Sequence, residues 1–365
     1  MKTSTVLFLS GMLLSGAATA AATTPLAQQD WDLVVAQAKK EGSVTFNVWY
    51  LQPQWRSFVA DFEKQYGIKV RIPEGSIDGN MNKLLAEARR EKGKMDVVAL
   101  SVAQLPIIRK ANALAQVDWL PGYGDAVHQL QSVNTEGYAV AFWGNQTGMA
   151  YDPQQMGNQP LPQSLDDLQR FIDENPKKFG YNDPNNGGAG EAFIQRVVTL
   201  SSGAFDADAT QVDPAIIKNW KKGWEWFVGN KEKITQTASG ADSLTRLNDG
   251  ELLLVPAWED HLAGLQKSGA ITGRLKFYIP AFGMPGGGNI AAIAANSTHP
   301  AASAVFLNWL TQADTQRALN VAFGAVPMNK QVKTEVVQPD IATQFYGKEY
   351  SMQLRKEFVR QVSMQ

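Results

Sequence analysis

Between Ser43 and Leu100 the hydrophobic period switches repeatedly between two and about 3.6 residues, and this alternation restricts the fold more than any other feature. Ser43–Tyr50 (SVTFNVWY) is rich in β-branched and aromatic residues and predicts a strand. Pro53 suits a helix start, where its missing N–H does no harm. Trp55, Phe58, Val59, Phe62 and Tyr66 then recur at helical spacing up to Gly67. Residues 68–73 predict a second strand, residues 80–92 a helix capped by Asp78, and DVVAL at 96–100 a third strand. That last strand is short and wholly apolar, as a buried parallel strand should be. A β-α-β-α-β order calls for an α/β fold, with a mostly parallel sheet flanked by helices.

The run YAVAFWGNQTGMAYD at 138–152 breaks this rhythm. Strands average five or six residues, so two strands joined end to end, one in each of two domains, fit it better than one. The segments at 274–280 and 289–294 flank a glycine-rich turn and predict a second crossing. Between and beyond the crossings, an S-x-x-D helix start at Ser164, an apolar helical face at Ile216, Trp220, Trp224 and Phe227, a strand at 252–255 and two helices across 300–323 resume the α/β pattern. Two domains sharing such crossings can close on a ligand, and neither is one continuous piece of chain. The expected division is 21–143 with 277–325 as the first lobe, and 144–276 with 326–365 as the second.

The chain has 365 residues, with 34 Lys and Arg against 35 Asp and Glu. A net charge of -1 without a basic block argues against nucleic-acid binding. The chain has no cysteine, which excludes disulfides, thiolate metal sites and cysteine nucleophiles. His128, His261 and His299 are far apart and read as surface or cap residues rather than a metal site, so no cofactor is expected. Lys2, the apolar stretch from Val6 to Ala18 and the Ala18-Thr19-Ala20 site predict a secretory signal over residues 1–20, removed after Ala20. The apolar stretch is too short to span a bilayer.

Ligands in open α/β sheets sit beyond the carboxyl ends of strands. Those positions hold Trp49 and Tyr50 after the first strand, Ser76 after the second, Trp143 and Asn145 at the first crossing, and Trp258, Glu259 and Asp260 near residue 255. Each tryptophan could form a cleft wall or pack in a core. Glu259 and Asp260 could hold a ligand or complement the dipole of the helix that begins there. The segment YNDPNNGGAG at 181–190, with no strand read immediately before it, leads into a helix from about residue 191. Asn185, Asn186, Gly187, Gly188 and Gly190 could offer backbone N–H groups to a carboxylate, phosphate or phosphonate. The same residues are also strong turn formers. Gly286-Gly287-Gly288 could admit a ligand or simply make a flexible turn. No G-x-S-x-G, H-E-x-x-H or EF-hand pattern occurs.

Taken in order, the leader, the strand ending in an aromatic pair, FEKQYGIKV, DVVAL, AFWGNQTGMAYD, DPNNGGAG and HPAASAVFLNWLTQADTQ resemble the extracellular solute-binding proteins of ABC importers. More narrowly, the sequence is similar to the branch that binds thiamine, polyamines, phosphonates or ferric iron. The resemblance implies two α/β lobes closing on one small polar solute, delivery to membrane permease subunits, a periplasmic monomer and no catalysis. It implies a ligand shell of Trp49, Tyr50, Ser76, Trp143, Asn145, Asn185 to Gly190, Trp258 and Glu259. Iron-binding members carry paired tyrosines late in the chain, where this sequence reads FGAVPMNK, which argues against iron. The glycine-rich loop favours an acidic organic ligand. The competing reading is a secreted two-lobed hydrolase or transferase using Glu259 or Asp260.

Overall fold

The structure is a computed structural model that describes residues 24–130, 133–186, 188–207, 209, 211–333, 343 and 345–365. The predicted leader lies outside the described residues. In chain order the strands used below are β1 (Ser43–Asn47), β2 (Lys69–Arg71), β3 (Val97–Ser101), β4 (Val140–Tyr151), β5 (Phe179–Asn182), β6 (Ile234–Thr237), β7 (Leu254–Trp258), β8 (Lys276–Tyr278) and β9 (Gly286–Ile293). The described residues place them in one nine-stranded sheet of order β2-β1-β3-β9-β4-β7-β5-β6, with β8 also on β4.

The fold is α/β, and its sheet has two wings. In the first, β1 pairs in parallel with β2 and β3, as the alternating sequence predicts. In the second, β5 pairs in parallel with β6 and β7. The segment expected to be two strands is one, because β4 runs unbroken for 12 residues. Its first half lies antiparallel to β9, from Val140 opposite Ala291 to Gln146 opposite Gly286. Its second half lies antiparallel to β7, from Thr147 opposite Trp258 to Tyr151 opposite Leu254, and to β8. The partners change while the strand continues.

Gly286-Gly287-Gly288 is part of β9 and not a turn. The crossing is tight there, since a Cβ at Gly286 would sit within 1.9 Å of Gln146 Oε1. The Gln146 side chain occupies that space and donates to the Met284 carbonyl at 2.9 Å.

Helices cover both faces of both wings. Of those that matter here, α1 (Trp31–Glu41), α2 (Ile77–Glu87), α6 (Pro300–Thr311) and α7 (Ala313–Phe323) flank the first wing. The second carries α3 (Leu165–Glu174), α4 (Gly188–Ser202), α5 (Glu259–Lys267) and α8 (Lys348–Phe358). Trp55, Phe46, Phe142 and Phe306 interlock in the first core. Trp220, Phe227 and Phe358 are fully buried in the second, and Trp224 nearly so. The chain returns late to each wing. Phe282, Met284, Tyr350 and Leu354 bury in the second core, whereas Leu319, Phe323 and Met328 bury with the first wing.

Three local expectations change. Ser76 rather than Asp78 caps α2, which begins three residues earlier than predicted: its backbone is extended and its hydroxyl accepts the Gly79 N–H at 3.1 Å. The helix read from Trp55 to Tyr66 is split at Val59. Strand β5 directly precedes the glycine-rich loop, where no strand was expected.

Candidate ligand cleft

Aromatic residues on or just after β1, β4 and β7 come together between the wings. Trp49, Tyr50, Trp143 and Trp258 line a cleft of about 350 Å³ with Asn145, Asn289, Asp260 and His261. Each is delivered by sheet geometry. Trp49 and Tyr50 follow β1; Trp143 and Asn145 lie on β4; Asn289 stands opposite Trp143 on β9. Trp258 ends β7 opposite Thr147, and Asp260 and His261 open α5 directly after it.

Trp143 is the fixed wall. It is 4% exposed and packs against Trp55 and Phe323, with ring centroids 5.8 and 5.2 Å away. Tyr50 stands edge-on to it at 6.2 Å. The Trp143 indole Nε1 donates to Asp260 Oδ2 at 3.2 Å, joining the first wing to the second. Trp258 stacks on Phe345, with centroids 5.4 Å apart.

The cleft's charge is acidic. Asp260 is its carboxylate, and among the described residues neither lysine nor arginine lines it. Burial pushes Asp260 up to about 6, although Trp143 and backbone N–H groups favour the ionised form. Burial, followed by the Asp260 charge, pushes Glu259 up to about 7. Burial also lowers His261, which therefore faces the cleft as a neutral ring near pH 7. Tyr50 is pushed up to about 12 by burial and by Asp260.

Glu259 itself does not line this cleft; its Oε2 is buried with no hydrogen-bond partner among the described residues. Ser76 is exposed and occupied as a helix cap. The loop at 182–190 abuts the cleft through Trp258, whose Nε1 lies 3.7 Å from where a Gly188 Cβ would stand. Two of its N–H groups are already taken. Asp183 Oδ1 accepts the Asn185 N–H at 2.7 Å and the Asn185 side-chain amide at 2.9 Å. Asn182 Oδ1 accepts the Gly190 N–H at 2.8 Å. Gly190 must lack a side chain, since a Cβ would lie 2.0 Å from the Asn182 carbonyl oxygen. Gly187 and the Asn186 side chain lie outside the described residues. Among the described residues no group of His, Cys, Asp or Glu is placed to hold a metal ion.

Of the two acids at the start of α5, Asp260 lines the cleft and Glu259 does not, and His261 and Asn289 line it without a signal in the sequence. Helix phase decides between the acids: the second residue of α5, not the first, reaches the cleft. Asn289 was legible only through its register with Trp143.

The fold has many solved relatives. A protein from Bordetella parapertussis described as an extracellular solute-binding protein superposes with a TM-score of 0.72 at 18% identity, covering 88% of this chain and 99% of that one. A spermidine/putrescine ABC transporter substrate-binding protein from Streptococcus pneumoniae gives 0.68 at 11% identity, covering 88% and 98%. A periplasmic thiamin binding protein gives 0.59 at 18% identity, covering 88% and 96%. No curated protein matches the sequence. The sequence profile of the bacterial extracellular solute-binding proteins matches residues 57–344, and the chain belongs to that family.

Proposed function

We propose that this protein captures a small organic cation in the periplasm and hands it to the permease of an ABC importer, performing no chemistry of its own. The observation that carries this reading is the Asp260 carboxylate set among Trp49, Tyr50, Trp143 and Trp258 in a cleft that no lysine or arginine of the described residues lines. Aromatic faces attract a cation by their quadrupole, and a desolvated carboxylate adds a charged partner. The acidic solute first expected from the glycine-rich loop finds less support, because Asn182 and Asp183 already accept the N–H groups of Gly190 and Asn185. Asp183 would also repel an anion there. The polyamine- and thiamin-binding neighbours lend the cationic reading indirect support.

Capture is proposed to proceed by hinging of the wings where β4 changes partners, between Gln146 and Thr147, and where β9 begins at Gly286. On this reading 276–284 moves with the second wing and 326–330 with the first, because Phe282 and Met284 bury in one and Met328 in the other. The leader at 1–20 supplies export.

A thermal-shift panel of amines, quaternary ammonium compounds, carboxylates and phosphonates tests the ligand class. A cation at a hundredfold excess over its Kd should add about 2.7 kcal/mol of stability, and scattering with it bound should show a smaller radius of gyration. Stabilisation by the carboxylates or phosphonates alone would overturn the cationic reading.

A further inference from the structure

A second cavity, of about 420 Å³, adjoins the cleft. The two share Tyr50, Asp260 and His261, so these three side chains stand at a common boundary. Beyond that boundary the walls become mainly apolar. Leu51, Ala322 and Phe323 come from the first wing, and Gly264 and Leu265 from α5 on the second. At the rim Lys267 is tethered, its Nζ donating to the Val321 carbonyl at 2.9 Å.

Gly264 is the informative residue. It lies inside a nine-residue helix, where glycine is less favourable than alanine. Close packing does not require it, for beyond its chain neighbours and its own helix backbone a Cβ there would meet no atom within 4 Å. Its missing side chain leaves the wall of the second cavity open.

We infer that the second cavity is the other half of a bipartite site, and that the solute carries an apolar extension which passes Tyr50 and lies along Gly264 while its cationic head sits by Trp143 and Asp260. This rests on the cationic reading of the cleft. It narrows the ligand from small cations in general to amphipathic ones several carbons long.

Calorimetric titration of the full-length mature protein with tetramethylammonium and with its ethyl-, butyl- and hexyl-trimethylammonium homologues tests it. Each added CH₂ that enters an apolar chamber should tighten binding about threefold to fourfold until the chamber is full. The Gly264→Leu protein should lose that dependence on chain length, with Gly264→Ala intermediate; both should melt no lower than the parent, since each improves helix propensity. A parallel series of 1-butanol to 1-octanol probes the chamber without the charge. Tetramethylammonium binding with no gain along either series would overturn the bipartite site and leave the cationic reading standing. Length-dependent alkanol binding that Gly264→Leu abolishes, with no ammonium compound bound, would keep the chamber and overturn the cationic head. Failure of every probe would overturn both.

Discussion

Trp143 and Asp260, 117 residues apart in the chain, are joined by a 3.2 Å hydrogen bond that spans the two wings. It ties the fixed wall of the cleft to the one carboxylate that lines it among the described residues. Asp260→Asn keeps an acceptor for the indole and removes the charge. Affinity for a cation should fall about tenfold to a hundredfold, the value of a charge-assisted bond, as read by calorimetry. An unchanged Kd would show that Asp260 does not meet the ligand.

Asp260 also links binding to pH. Its carboxyl is raised to about 6, and a bound cation favours the ionised form. Affinity should therefore be level above about pH 7 and weaken towards tenfold per unit well below pH 6. Stability responds with the opposite sign. A carboxyl whose folded pKa is raised holds its proton longer in the native state than in the unfolded chain, so ionising it costs stability as pH rises from about 4 through 6. The Asp260→Asn protein should melt higher than the parent at pH 7.5, and the gain should disappear near pH 4. A constant gain at every pH would assign it to packing instead.

The glycine-rich loop is best tested away from its glycines. Gly188 has a φ of +75°, so a β-branched residue would strain the backbone whether or not a ligand binds there. Asn182→Ala is the cleaner change. It leaves the buried Gly190 N–H without its acceptor, at a cost of about 1–3 kcal/mol. Melting should drop, while affinity for a cation stays within a few fold. A large loss of affinity at unchanged stability would return the loop to the ligand shell.

The second wing has its own electrostatic anchor. Asp152, at the end of β4, is fully buried and accepts from Arg274 Nε and Nη2 at 3.0 and 2.7 Å. Hydrogen bonding to Arg274 holds its carboxyl below the usual range. Its contribution is present above the unfolded pKa of about 4 and is lost as pH falls through the lower folded value. Arg274→Met should strand the buried charge and cost about 3 kcal/mol by urea titration at pH 7. Less than about 1 kcal/mol would mean that water reaches Asp152.

The first three strands, β1 to β3, were readable because the hydrophobic period changes at each of them. In the second wing, β5 escaped notice: FGYN is four residues long, carries a glycine and is buried on both faces, so no alternation marks it. The cap of α2 was ambiguous, since Ser76 and Asp78 both have the chemistry and only backbone conformation selects Ser76. In the cleft, aromatic residues at strand ends were legible from sheet geometry alone. The acceptors inside the glycine-rich loop were not, because a sequence gives no sign that Asn182 and Asp183 fold back onto N–H groups several residues on.

Strand β4 enters the sheet beside β9 and leaves it beside β7, while α6 and α7 return to the first wing and α8 to the second. Neither half therefore corresponds to a stretch of gene that could be excised and expressed. A stop codon after β9 would strip the first wing of Phe306 and Trp309, and one before residue 345 would strip the second of Tyr350 and Phe358. A nick in a surface loop, by contrast, would leave both halves woven together. This threading makes the two wings one inseparable unit of inheritance and of degradation.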